Sequence, residues 1–219
     1  MIKIPEFLTE PQEIERKSME IIRQLVPELD RLPPLERAVV MRVVHTTGDP
    51  AAARLLRFSP GACEAGVAAI KRGAKLFTDV QMLLAGVSKR VLARFGMEPC
   101  CYISHPEVAA TAAATGLTRA MLAVRRAGQE LNGAVVCIGN APTALFELLR
   151  LVQEEGVRPG LVIGTPVGFV GAAESKELLQ EVMPEGPYIT MTGTRGGSTI
   201  AAAILNALLY EAEKEEEAE

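Results

Sequence analysis

The sequence predicts an α/β fold: a three-layer α/β/α sandwich with a roughly five-stranded parallel sheet and wrapping N-terminal helices. Three observations predict it. From Lys75 onward, short apolar runs of strand length alternate with helical segments, the pattern of a parallel sheet covered on both faces. Before Lys75 the apolar spacings and the breaks are those of helices. The composition is 48% hydrophobic with 4% aromatics and no Trp. The core is therefore built from Ala, Val, Leu, Ile and Met, of which Ala and Leu favour helix.

In chain order, Thr9 to Gln12 reads as a capping box with Pro11 in the first turn, opening a helix that runs to about Val26. Pro27 ends it. A second helix starts near Pro33 and Pro34 and carries Leu35, Val39, Val40, Val43 and Val44 at helical spacing, stopping at Thr46-Thr47-Gly48. Asp49-Pro50 and Ser59-Pro60 each read as an N-cap followed by Pro at the first helical position, so two more helices are expected. The strand-length runs are Leu76 to Val80, Cys100 to Ser104, Ala134 to Ile138, Leu161 to Gly164 and Tyr188 to Met191. Helices between and after them are expected to begin near Pro106, Pro142, Ala172 and Gly197.

No Gly/Ser linker, charged linker or internal repeat divides the chain, so residues 1–210 read as one domain. Residues 211–219 read as an acidic, frayed helix end. The 23 basic and 27 acidic residues give a formal charge of −4. No basic block points to nucleic acid. Cys63, Cys100, Cys101 and Cys137 form no CxxC pair and the two histidines are far apart, which argues against a zinc site. The start Met1-Ile2-Lys3-Ile4-Pro5 lacks a signal-peptide core, and no apolar run reaches membrane-spanning length. A cytoplasmic protein is expected.

Ligands of open parallel sheets sit beyond the carboxyl ends of the strands. The positions to inspect are therefore Asp79, Ser104-His105, the loop from Gly139 to Pro142, the loop from Thr165 to Gly168, and the loop from Thr192 to Ser198. Arg195-Gly196-Gly197-Ser198 opens a helix, and reads either as an anion site of bare N–H groups plus an Arg or as a tight turn with a Ser cap. Neither it nor Gly139-Asn140-Ala141-Pro142-Thr143 matches the GxxxxGK[ST] or GxGxxG fingerprint, which disfavours nucleotides. Arg42 and His45 lie three apart, on one helix face. His45 near a helix C-terminus reads either as a general acid/base or as a C-capping histidine. His105, between a strand and Pro106, reads first as a turn or helix-start residue. Arg119, Arg125 and Arg126 share a helical stretch whose solvated face accounts for most such arginines.

Together these segments resemble the precorrin-8X (cobalt-precorrin-8) methylmutase family. The resemblance rests on the run from Arg42 to Asp49, on Gly139-Asn140-Ala141-Pro142-Thr143-Ala144-Leu145, on the run from Pro166 to Lys176, and on Arg195-Gly196-Gly197-Ser198 with Asn206-Ala207-Leu208. They occur in the family's order and leave only the acidic tail outside. The resemblance implies a homodimer of α/β/α sandwiches and a methyl migration from C-11 to C-12 of a tetrapyrrole. Precorrin-8X becomes hydrogenobyrinate, or cobalt-precorrin-8 becomes cobyrinate. It implies no cofactor and no protein-bound metal. It puts the catalytic histidine at His45 and substrate-binding positions at Ser18, Arg42, Ser88 and Arg119. A nucleotide-dependent enzyme and a corrinoid carrier without catalysis are the competing readings.

Overall fold

The computed structural model describes residues 7–218; residues 1–6, on which the expectation about a signal peptide falls, and Glu219 lie outside the described residues. The chain begins with α1 (Pro11–Leu25) and α2 (Pro34–Thr47), then β1 (Leu56–Phe58) and α3 (Ala62–Lys71). Next come β2 (Leu76–Thr78), α4 (Gln81–Ala85), α5 (Lys89–Arg94), β3 (Pro99–Cys100), α6 (Pro106–Thr115) and α7 (Arg119–Ala127). It closes with β4 (Val135–Ile138), α8 (Pro142–Glu154), β5 (Leu161–Gly164), α9 (Ala172–Val182), β6 (Tyr188–Met191) and α10 (Ser198–Ala218).

The strands form one sheet in the order β1-β6-β5-β4-β2-β3, parallel except for the β1–β6 pair. Side chains alternate between its faces. Val135, Cys137 and Ile163 enter a core with α2, α3 and α10, whereas Val136, Ile138 and Val162 enter a second core with α7, α8 and Leu179 of α9. This is the expected three-layer sandwich. α2 packs along α10, so the N-terminal helices do wrap one face.

Five local readings are corrected. The sheet has six strands among the described residues, not five: β1 is three residues long, carries Arg57 and pairs antiparallel with β6, so it shows no run for a periodicity reading to find. The apolar run from Cys100 gives only Pro99–Cys100 as strand, because the chain turns at once and His105 N–H bonds the Tyr102 carbonyl. The cap of α1 is Glu10 rather than Thr9. Its carboxylate takes the N–H groups of Gln12 and Glu13, where an anion also complements the helix dipole. Asp49 does cap, by accepting the Ala51 N–H, but it opens a 3-10 turn, Pro50–Leu55, instead of an α-helix. Ser59 does not cap: its buried hydroxyl accepts from Tyr188 N–H at 2.9 Å, tying the end of β1 to β6.

The acidic segment from residue 211 continues α10 as far as Ala218. Glu213 is 9% exposed and is gripped by Arg90 and Arg94 of α5, and Arg94 also holds Glu216 and Glu217. The Arg90 bond, with help from Arg94 and against the opposing effect of burial, holds the Glu213 carboxyl down at about 2.

Candidate active site

The end of α2 is closed by its own residues. Gly48 adopts φ 63° and its N–H bonds the Val44 carbonyl, a left-handed cap that glycine takes without a Cβ clash. The Thr47 hydroxyl donates to the Val43 carbonyl at 2.9 Å. With these carbonyls served, His45 is not a cap. Its exposed imidazole has no hydrogen-bond partner among the described residues. It looks across a pocket of about 310 Å³ whose walls include Ile21 and Leu25 of α1 together with Val44, Gly48 and Pro50. Ile21 and Leu25 are 46% and 57% exposed, an apolar floor left open beside a titratable ring. Ser18 lines the same pocket, with its hydroxyl hydrogen donated to the Ile14 carbonyl at 2.8 Å and its oxygen lone pairs still available.

The other expected site residues are not gathered there. Arg42 is on the His45 face of α2, but its guanidinium pairs with Glu15 at 3.0 Å and lies 5.5 Å from the centre of the Tyr210 ring. It lines a neighbouring cleft with Glu15, Glu211 and Glu213. Ser88 precedes α5 and donates its backbone N–H to Asn206 Oδ1 at 2.9 Å, while its hydroxyl caps nothing. Asn206 and Tyr210 are one turn apart on α10, so Ser88 and Arg42 flank the same stretch of that helix. Arg119 begins α7, which packs on the other face of the sheet; its exposed guanidinium has no partner among the described residues. His105 is a helix-start residue, as the simpler reading had it: Nδ1 accepts the Glu107 N–H. Arg125 clamps buried Glu147, and Arg126 pairs with Glu107.

Three features of the sheet's carboxyl edge complete the picture. First, Asp79, fully buried after β2, accepts the N–H groups of Gly139, Asn140 and Ala141 at 3.1, 2.8 and 2.9 Å. Burial pushes its carboxyl up, against the lowering effect of those bonds. Second, Arg195, in the loop after β6, forms an ion pair with Asp49. Third, Lys176 of α9 is 1% exposed and its Nζ donates to the Arg195 carbonyl at 2.6 Å. Burial alone lowers it to about 8. Sequence reasoning passed over Lys176, yet Ala172, Ser175, Lys176 and Leu179 have the spacing of an inward helix face, which is a readable signal. No helix of the described residues is long and apolar enough to cross a membrane.

A sequence model of the family described as precorrin-8X methylmutase matches residues 13–211. A cobalt-precorrin-8 methylmutase of Priestia megaterium is 44% identical over 202 residues, covering 91% of this chain and 87% of that one. The cobalt-precorrin-8 methylmutase of Salmonella typhimurium is also 44% identical, covering 93% of this chain and 97% of that one. The crystal structure of a precorrin-8x methyl mutase from Thermus thermophilus superposes with a TM-score of 0.82 at 40% identity, covering 92% of this chain and 98% of the other. Likeness of this extent in both sequence and architecture means that the chain belongs to the precorrin-8X methylmutase family, the isomerases of corrin biosynthesis.

Proposed function

We propose that this chain moves the methyl group from C-11 to C-12 of precorrin-8X or cobalt-precorrin-8, yielding hydrogenobyrinate or cobyrinate, with His45 as the proton donor and acceptor. The observation that carries this is the unpartnered His45 imidazole above an apolar floor. A large conjugated ring needs an apolar surface to lie on and a proton handled at one place; a shift within one molecule needs neither redox partner nor methyl donor. No cofactor of its own is expected. Ser18, at the pocket wall, offers a hydroxyl for a polar substituent. The reaction fits a cytoplasmic chain working as one methylmutase domain over residues 1–210.

The pocket, at about 310 Å³, is at the small end of the roughly 300–1,000 Å³ of small-molecule sites. A macrocycle bearing many carboxylates extends beyond it. Arg42, Ser88 and Arg119 are the proposed grips for those carboxylates, and Arg119 stands on the far layer of its own sheet. A homodimer supplies the missing wall, with a second copy's α7 one route by which an arginine reaches the ring. Sedimentation is expected to show a dimer at micromolar concentration, and a monomer there would sink this assembly. Arg42→Ala and Arg119→Ala are each expected to weaken tetrapyrrole binding about ten- to a hundredfold, the scale of a lost charged hydrogen bond, with melting temperature nearly unchanged. Unchanged affinity in both, titrated by ring absorbance, would remove them from the site. The same absorbance tests the function itself: turnover changes ring conjugation, whereas a carrier would bind without conversion.

A further inference from the structure

Arg195 combines a backbone tied down by hydrogen bonds with an exposed side chain. Its loop is zipped to the loop after β5 by Gly168 N–H to the Thr194 carbonyl at 3.1 Å and Gly197 N–H to the Thr165 carbonyl at 2.8 Å. A Cβ on Gly196 would stand 2.3 Å from the Thr165 oxygen and 2.7 Å from that of Pro166, so only glycine lets the two loops meet. The Arg195 carbonyl is held from beneath by Lys176. By contrast, the Arg195 side chain is 58% exposed and its one ion pair is with Asp49, itself 36% exposed. An ion pair this open to water contributes little to stability. Its position is more informative. Gly48 and Pro50, the two neighbours of Asp49, both line the His45 pocket.

We propose that Arg195 is a receptor for a substrate carboxylate at the rim of the His45 pocket, parked on Asp49 until substrate arrives, and that Lys176 is a positioning residue that fixes where Arg195 stands. This rests on the methylmutase reading, which supplies the polycarboxylate ligand. Exchanging one exposed carboxylate partner for another costs little desolvation, and a guanidinium can bind a carboxylate through two parallel N–H bonds. Asp49 keeps its other oxygen on the Ala51 N–H, so releasing Arg195 does not undo the turn after α2. No carboxylate pairs with Lys176 among the described residues. Its contribution is therefore the bond to the Arg195 carbonyl, for which an apolar side chain filling the same space has no substitute.

Ring absorbance reads both binding and turnover in wild type, Arg195→Gln, Arg195→Lys, Asp49→Asn, Lys176→Met and the Arg195→Gln/Lys176→Met double variant. Arg195→Gln is expected to raise KM and Kd about tenfold with kcat within about twofold of wild type, the signature of lost uniform binding. Arg195→Lys should recover part of that loss. Asp49→Asn keeps an acceptor for Ala51 and frees Arg195, so its KM should be no higher than that of wild type. A brace with no ligand role would leave KM unmoved in Arg195→Gln or raise it equally in Asp49→Asn, and either result overturns the receptor. Lys176→Met should raise KM severalfold alone and add nothing to Arg195→Gln; additive losses overturn the positioning role. Should Lys176→Met fail to fold, Lys176→Gln keeps a donor for the carbonyl and should hold KM at the wild-type value, and a raised KM there overturns the same role. A wild type that binds the ring without converting it defeats the methylmutase reading alone, since the Kd ratios still judge Arg195.

Discussion

His45→Ala is expected to leave the fold and tetrapyrrole binding in place and to slow turnover at least about a hundredfold, the usual scale for a lost general acid/base. The fold should survive because the imidazole is exposed and has no partner among the described residues, while Gly48 and Thr47 close the helix without it. Binding should survive because the pocket's apolar area comes from Ile21, Leu25 and Val44. On the proposed role of His45, the variant would lose the group that hands a proton to the ring before the methyl leaves C-11 and takes one back as conjugation re-forms with the methyl on C-12. No second histidine stands ready, since His105 Nδ1 already caps α6. Single-turnover absorbance at saturating substrate measures the effect, and circular dichroism checks the fold. Near-normal turnover would refute the assignment.

How far the sequence could be read depended on how local each determinant is. Helix starts marked by Pro were legible: α2, α6 and α8 begin at or within a residue of the positions expected. The central strands were legible because both faces of the sheet are covered, so Val135–Ile138 and Leu161–Gly164 are apolar without interruption. The edges were not. β1 is short and depends on β6 for its pairing, and β3 survives as two residues. In the site, the Arg42-to-Asp49 motif pointed to His45, but whether the ring capped its helix depended on what Thr47 and Gly48 do in three dimensions. Arg42 and His45 share a face as their spacing required, yet Glu15, twenty-seven positions away, draws the arginine into another cleft. Nothing local marks such a partner. The same holds for Asp49 with Arg195 and for Lys176 with the Arg195 carbonyl.

The fold's general ligand crevice also answers the competing nucleotide reading. The chain runs from β2 out to β3 and returns to β4 on the other side of β2, so the switch point of the sheet lies between β2 and β4. There an α/β protein commonly binds phosphate on loop N–H groups. Here the Asp79 carboxyl, from the end of β2, occupies that place and accepts the N–H groups of Gly139, Asn140 and Ala141. Asp79→Ala is therefore expected to cost about 3 kcal/mol or more, because it strands several buried donors that each cost roughly 1–3 kcal/mol unpaired. Asp79→Asn keeps one acceptor but turns an amide NH2 towards the donors, and should fall between. The pH dependence has a definite sign. Burial raises the Asp79 carboxyl in the folded state above its ordinary value of 3.8. Its contribution is then full at low pH and is lost as pH rises through the raised folded value, so the stability gap between wild type and Asp79→Asn should widen from about pH 7 towards about pH 4. Urea unfolding of the three proteins at both pH values measures it, and formate or acetate should restore part of the Asp79→Ala loss by entering the vacated place. An Asp79→Ala variant within about 0.5 kcal/mol of wild type, the range of an ordinary surface change, would show that the loop holds its own shape without the carboxylate.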